Sequence, residues 1–206
     1  MTTAAPVRRL VLATGNPGKI RELRDLLSDQ RIDVLAQSDF DVGPVEETGL
    51  TFIENALLKA RHASGQTGLA AIADDSGLVV DGLGGRPGIH SARFAGENAS
   101  DADNVSLLLD ELAGVPREQR TACFFCAMVM VRWPEDPTPL VCEGRWQGHI
   151  AEAPRGGGGF GYDPVFITES GRTSAELAPE EKNRLSHRGL AVRALVARLP
   201  VWWPVA

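Results

Sequence analysis

The sequence is short of several things, and each shortage removes a class of protein. No run of about 18 uninterrupted apolar residues occurs, so no helical membrane span is expected. Three cysteines, Cys123, Cys126 and Cys142, are too few for a disulfide scaffold. Cys123 and Cys126 do form a C-x-x-C, but inside the apolar run TACFFCAMVMV, with no second such pair and no nearby histidine pair. They read as small strand residues and not as half of a zinc or redox site. The opening MTTAAPVRRL lacks the apolar stretch of a secretory signal, so a reduced, cytoplasmic protein is expected. Lys/Arg clusters are missing too: 21 basic against 27 acidic residues leave a net charge of −6. Affinity for duplex nucleic acid rests on phosphate neutralisation, so nucleic acid is not an expected partner, and with no apolar span neither is a membrane. A nucleotide needs only a few basic residues converging on one pocket. Apolar residues are not scarce: at 43%, with 23% charged, they support a buried core.

What is present alternates. The strand-like Leu10, Val11, Leu12, Ala13 breaks into Thr-Gly-Asn-Pro-Gly-Lys and resumes as a helix with apolar residues at Ile20, Leu23, Leu26 and Leu27. RIDVLAQ reads as a second strand, and VGPVEETGL as a polar loop carrying Glu46 and Glu47. Thr51 to Glu54 spells a capping box and opens a helix to about Gln66, with Asn55 and Lys59 on one face. LAAIA reads as a short buried strand that DDSG interrupts before LVVDGL. Gly82 to Ser100 reads as a loop, and Asp103 to Ala113 as a helix. Two long strands, Thr121–Trp133 and Leu140–Ile150, are expected to form an antiparallel pair. The closing helix runs from an N-cap at Ser186 to about Leu199. The order implies an α/β protein with a mixed sheet, without internal repeats.

Several stretches carry chemistry. TGNPGK is no Walker motif, since Ala13 stands where its first glycine belongs and Ile20 where its hydroxyl belongs. Gly15 and Gly18 still allow close backbone approach, and a helix start offers N–H groups to an anion. Lys19 in the first helical turn runs against the helix dipole unless an anion sits there. From this turn alone, a phosphate site and a tight strand–helix connection both stay open. GGGGFG contains G-x-G-x-x-G, but Tyr162, Asp163 and Pro164 follow it instead of a helix, so the dinucleotide reading fails. Phe160 and Tyr162 either face a planar ligand or pack beneath the loop. Asp74 and Asp75 are either an Asp-rich turn or, with Glu46 and Glu47, part of an oxygen site of the kind magnesium prefers. Lys182, His187 and Arg188 gather near the head of the last helix, where positive charge again asks for an anion or a carbonyl.

Taken in order, TGNPGK, EETG, FIENALLKA, ADDSGL, PGIHSAR, GGFGYDP and SHRG make the chain resemble the inosine/xanthosine triphosphate pyrophosphatases from about Val11 to Leu199. The resemblance implies an elongated, two-lobed α/β protein around a long mixed sheet with a central cleft. Residues 1–206 would form one such domain, with 1–8 and 200–206 as peripheral ends. It implies a cytoplasmic homodimer that uses Mg²⁺ to hydrolyse non-standard purine nucleoside triphosphates to monophosphate and pyrophosphate. By the same resemblance Thr14, Gly15, Asn16, Pro17, Gly18, Lys19 and Lys59 hold the phosphates. Glu47 and Asp75 serve the metal, with Asp75 also the proton acceptor, and Ser76 touches substrate. Phe160, Gly161, Tyr162, Asp163, Lys182, His187 and Arg188 surround the base. Rivals from other classes are a nucleotide-binding sensor without turnover and a pyrophosphatase for modified pyrimidines. His90, before SAR, departs from the family's frequent aromatic there, and PVWWPVA lies beyond the shared pattern.

Overall fold

The computed structural model describes residues 8–28 and 32–204, without the side chains of Pro17, Glu22, Leu23, Asp25 and Leu26. Expectations for Leu23, Leu26 and the ring of Pro17 therefore lie outside the described residues. Strand β1 (Arg8–Leu12), helix α1 (Pro17–Leu27), strand β2 (Ile32–Ala36), helix α2 (Phe52–Thr67) and strand β3 (Ala70–Val80) come first. Helix α3 (Asp101–Glu111), strands β4 (Thr121–Val131), β5 (Leu140–Ile150) and β6 (Phe166–Ile167), and helices α4 (Pro179–Leu185) and α5 (His187–Trp202) follow. The six strands make one sheet in the order β2-β1-β3-β4-β5-β6. Strand β1 runs parallel to β2 and β3, and β5 antiparallel to β6, so the sheet is mixed as expected.

The chain divides into two compact units, residues 1–75, 127–143 and 189–206 in one, and 76–126 and 144–188 in the other. The division falls within β3, β4 and β5. In the first unit, β1 to β2 steps one way in the sheet and β2 to β3 steps the other. Right-handed crossovers then place α1 and α2 on opposite faces. On the α2 face, Ala60 and Ala63 pack on Val11, Ala13, Ala71 and Ala73. These small side chains let the helix lie close to the sheet. The second unit has its own core, built from Leu78, Val105, Leu108, Leu112, Phe124, Trp146 and Phe166 among others.

Four local readings change. DDSG does not interrupt the strand: β3 continues for 11 residues through it. Turn-forming residues yield to a sheet in which the strand has neighbours on both sides, β1 and β4. Helix α3 starts two residues before the expected Asp103, because Ser100 and Asp103 cap each other reciprocally. The Gly82–Ser100 stretch holds 3-10 turns at Asp81–Leu83 and Gly88–Arg93. Helix α5 passes Pro200 and ends at Trp202, where the tail is fastened within the first unit. Trp202 Nε1 donates to the Thr138 carbonyl at 2.8 Å, and the Arg8 guanidinium donates to the Trp203 carbonyl.

Candidate active site

In the first unit the chemistry begins with strand alternation. Ala71, Ala73 and Asp75 are two apart and share the α2 face, while Asp74 points to the other. The two carboxylates accordingly meet different lysines. Asp74, its side chain fully buried, lies 3.0 Å from Lys19 Nζ on α1. Asp75 Oδ1 lies 2.9 Å from Lys59 Nζ on α2, which also contacts Glu47 Oε1 at 2.8 Å. Asn55, one helical turn before Lys59, brings its Nδ2 within 3.5 Å of Asp75 Oδ2. Its Oδ1 accepts from the Gly49 N–H at 2.8 Å and so ties down the loop that carries Glu47. That approach leaves no room for a side chain at 49, where a Cβ would come 2.6 Å from Glu54 Cβ. Glu46 is exposed, so Glu47 is the inward member of the pair.

Burial pushes the Asp75 carboxyl above the usual range; Lys59 pulls it down and the Glu47 charge adds to the rise. A more basic carboxylate is a better proton acceptor. Burial also works against the Lys59 charge, but its ion pairs with Asp75 and Glu47 more than offset this, and the ammonium is held above its ordinary value.

The donor set around Lys59 tests whether a divalent cation suits the place. Glu47 and Asp75 turn carboxylate oxygens toward one positive charge, with no imidazole or thiolate. Among the described residues no group of three or more His, Cys, Asp or Glu could hold a metal by itself. Two carboxylates with the remaining positions left to water and phosphate is how Mg²⁺ is commonly held, so the residues fit it.

The opening turn differs from expectation in one respect. Asn16 caps α1, its Oδ1 accepting from the N–H groups of Gly18 at 2.8 Å and Lys19 at 3.2 Å. Thr14 Oγ1 accepts from the Asn16 N–H at 3.2 Å. The helix-start donors are thus already engaged, and an anion there must draw them from Asn16. At Gly15 nothing lies within 4 Å of where a Cβ would stand.

The second unit assembles the residues expected around the base. Phe160, 42% exposed, has Lys182 Nζ 5.1 Å and Arg188 Cζ 6.0 Å from its ring centroid. Asp163 organises this loop. It accepts from the Phe160 N–H at 2.8 Å, from Ser174 Oγ at 2.7 Å and from Lys182 Nζ at 2.7 Å. Gly159, at φ 78°, is required here, since a Cβ would stand 2.0 Å from Asp163 Oδ2. Gly161 donates its N–H to Asp101 Oδ2 at 2.7 Å. Arg188, only 2% exposed, donates to Ser76 Oγ at 3.1 Å. His187 stacks on Phe124, centroids 4.8 Å apart and rings 12° from parallel.

Two placements were left open or missed in the sequence. Tyr162 is the one that packs beneath the loop; its hydroxyl donates to the Ser91 carbonyl at 2.8 Å, and burial pushes its pKa up. Lys182, expected near the head of the last helix, lies on α4, a short helix the sequence reading did not place and whose Pro179 at the start was the available signal. No local signal pointed to Phe124, because one aromatic in an apolar strand looks like any other core residue. The departure at His90 has little consequence: the imidazole is exposed, and buried Ser91 fastens the loop by accepting from the Leu78 N–H at 2.8 Å.

Comparison with known proteins covers nearly the whole chain. The model of the Ham1 family matches residues 10–198. A dITP/XTP pyrophosphatase from Shigella flexneri is 59% identical over 194 residues, 94% of this chain and 98% of that protein. A Ham1 protein structure from Coxiella burnetii is similar at a TM-score of 0.89 and 47% identity, covering 94% of this chain and 99% of that one. The crystal structure of a nucleoside-triphosphatase, dITP/XTP pyrophosphatase, from Mycobacterium abscessus is similar at 0.75 and 46%, covering 93% and 99%. The chain belongs to the Ham1 family.

Proposed function

We propose that this chain hydrolyses non-standard purine nucleoside triphosphates, dITP, ITP and XTP, to the monophosphate and pyrophosphate, with Mg²⁺ as cofactor. The observation that carries the reading is its 59% identity, over 98% of the relative's length, to a protein named dITP/XTP pyrophosphatase. The geometry is consistent with it. Lys19 and Lys59, with the Thr14–Lys19 turn, are assigned to the triphosphate, and Glu47 and Asp75 to the metal. Asp75 takes a proton from water as the water oxygen bonds to the α-phosphorus. The bond from that phosphorus to the bridging oxygen breaks, and pyrophosphate leaves with the electron pair. When bound, the metal would neutralise charge growing on the phosphate oxygens.

The base is assigned to Phe160, for stacking, and to donors from Lys182, His187 and Arg188. Lysine and arginine carry only donors, which suits a 6-keto oxygen and opposes the 6-amino group of adenine. The protein is read as a cytoplasmic homodimer, on the family resemblance; light scattering of the purified chain tests the dimer. The activity is tested with a panel of dITP, ITP, XTP, dATP, dGTP and dCTP, with and without Mg²⁺, reading pyrophosphate and monophosphate. Pyrophosphate from the first three only, and only with Mg²⁺, is the expected result. Orthophosphate released at the same rate without added pyrophosphatase would refute attack at the α-phosphorus.

A further inference from the structure

We propose that Lys59 is a built-in counter-ion, holding the cation position between Glu47 and Asp75 until a triphosphate draws its ammonium away. The inference rests on the reading of those two carboxylates as the metal's ligands. Its basis is that one oxygen of each carboxylate, Glu47 Oε1 and Asp75 Oδ1, holds Nζ, at 2.8 and 2.9 Å, so the ammonium sits between the two acids. Magnesium bonds to oxygen at about 2.0–2.1 Å, so a cation on both oxygens would lie no more than roughly 5 Å from an ammonium left in place. Repulsion between a double and a single positive charge is strong at that separation in a largely desolvated site. The side chains of Lys59, Glu47 and Asp75 are only 16%, 26% and 10% exposed. Lys59 and the divalent cation therefore compete.

The parts differ in their freedom to move. Asp75 is fixed on a buried strand, and the loop of Glu47 is fastened to α2 through the Gly49 and Leu50 N–H groups, at 2.8 Å to Asn55 and 2.9 Å to Glu54. The carboxylates stay placed when Nζ leaves. Lys59 has a flexible four-carbon stem that can carry its charge elsewhere. What it needs is an anion, since an ammonium swung into a half-buried site without one loses its partners. A triphosphate supplies that anion. Metal and nucleotide should thus favour each other's binding, and by linkage the favour is mutual. In the resting enzyme the same arrangement keeps two neighbouring carboxylates from repelling each other.

The test is Mn²⁺ binding to the full-length chain without nucleotide, followed by electron paramagnetic resonance of the free ion. Lys59→Met keeps the stem and removes the charge. It should bind Mn²⁺ more tightly than wild type, by a factor within the usual coupling range of roughly 5–150. The gain should vanish in Lys59→Met/Asp75→Asn. Mn²⁺ should also raise the melting temperature of Lys59→Met more than that of wild type, a readout that survives marginal metal-free folding. Lys59→Gln serves as the second variant and should behave alike. Unchanged or weaker Mn²⁺ binding in both variants, with wild-type pyrophosphate release still strictly dependent on a divalent cation, would overturn the counter-ion role and leave the metal reading standing. Wild-type turnover independent of divalent cations would remove the metal reading, and the counter-ion role with it.

Discussion

The two units hold their functional side chains by different means. In the first, Lys19 and Lys59 are each engaged by buried acids, Asp74 at 3.0 Å and Asp75 at 2.9 Å. In the second, Asp163 and Asp101 hold a loop, while ring faces and a neutral hydroxyl do much of the positioning: Phe160 under Lys182 and Arg188, Phe124 against His187, Ser76 with Arg188. The contrast follows from what each set is assigned to meet. A triphosphate is highly anionic, so its receptors are cations that require counter-charges when it is away. A purine base is neutral, so its receptors are donors kept in register by packing. The first unit should therefore respond to changes of charge, and the second to changes of shape and donor count.

The largest effect is expected at Asp75. Asp75→Asn keeps the size but cannot accept a proton, and it should lower kcat by roughly 10²–10⁴-fold, with further loss from weakened metal binding. Pyrophosphate release at saturating Mg²⁺, with a melting curve to confirm folding, measures this. A rate near wild type would move the base elsewhere, with Asp74 the first suspect.

Arg188→Ala comes next and probes the second unit. A buried donor lost from a recognition site costs about 1–3 kcal/mol, so KM for dITP should rise roughly 5- to 150-fold. The gap to dATP should narrow, and the gap to dGTP should change less, because guanine shares the 6-keto oxygen. Equal losses on dITP, dATP and dGTP would make Arg188 a phosphate or structural residue and blur the division of labour.

A third variant asks whether ion pairs of the first unit matter only where substrate binds. Asp136, between β4 and β5, is buried and accepts from Arg132 Nε and Nη2, both at 2.8 Å. Hydrogen bonds from Arg132 hold its carboxyl well below the usual range. Asp136→Asn should cost about 1–3 kcal/mol in urea unfolding while leaving KM unchanged. The sign with pH follows from the depressed folded-state pKa. The contribution is complete above the unfolded value of about 3.9 and is lost progressively as pH falls from there through the lower folded-state value. Wild type and variant should therefore draw together with falling pH and converge only at the acid end.

The smallest effect on stability is expected at Gly15. Its φ lies outside the left-handed region and a Cβ would meet nothing within 4 Å, so Gly15→Ala should stay within roughly 0.5 kcal/mol of wild type. A rise in nucleotide KM without a shift in melting temperature would then report ligand contact at the turn. Gly159→Ala is the opposite case, losing stability and base affinity together, because its Cβ has no place beside Asp163.

Much of the architecture was readable along the chain. The capping box at Thr51 opens α2 as expected, with the Thr51 side chain accepting from the Glu54 N–H. The apolar run from Thr121 becomes β4, and the next run is β5 over the expected Leu140–Ile150. These succeeded because caps and periodicity act within a few residues. The DDSG misreading had the opposite origin. Asp, Ser and Gly prefer turns locally, but neighbouring strands supply partners for their backbone, and the ladder overrides the preference. The break at Ser186 was legible as the N-cap of α5, but α4 before it was not read, because seven residues are too few for a helical apolar pattern to show.

Sequence alone determined the caps, the apolar periodicity and most of the helices and strands that follow from them. Those are short-range properties of backbone geometry. Only the tertiary structure decided the partners: that Asp75 faces Lys59 and Asp74 faces Lys19, that Asn16 occupies the helix-start donors, that Tyr162 turns inward and that Phe124 backs His187. Arg188 and Ser76 meet across 112 residues of chain. Such contacts depend on which strands pair and on how closely small residues let a helix approach the sheet, and those choices are made by burying the whole core at once.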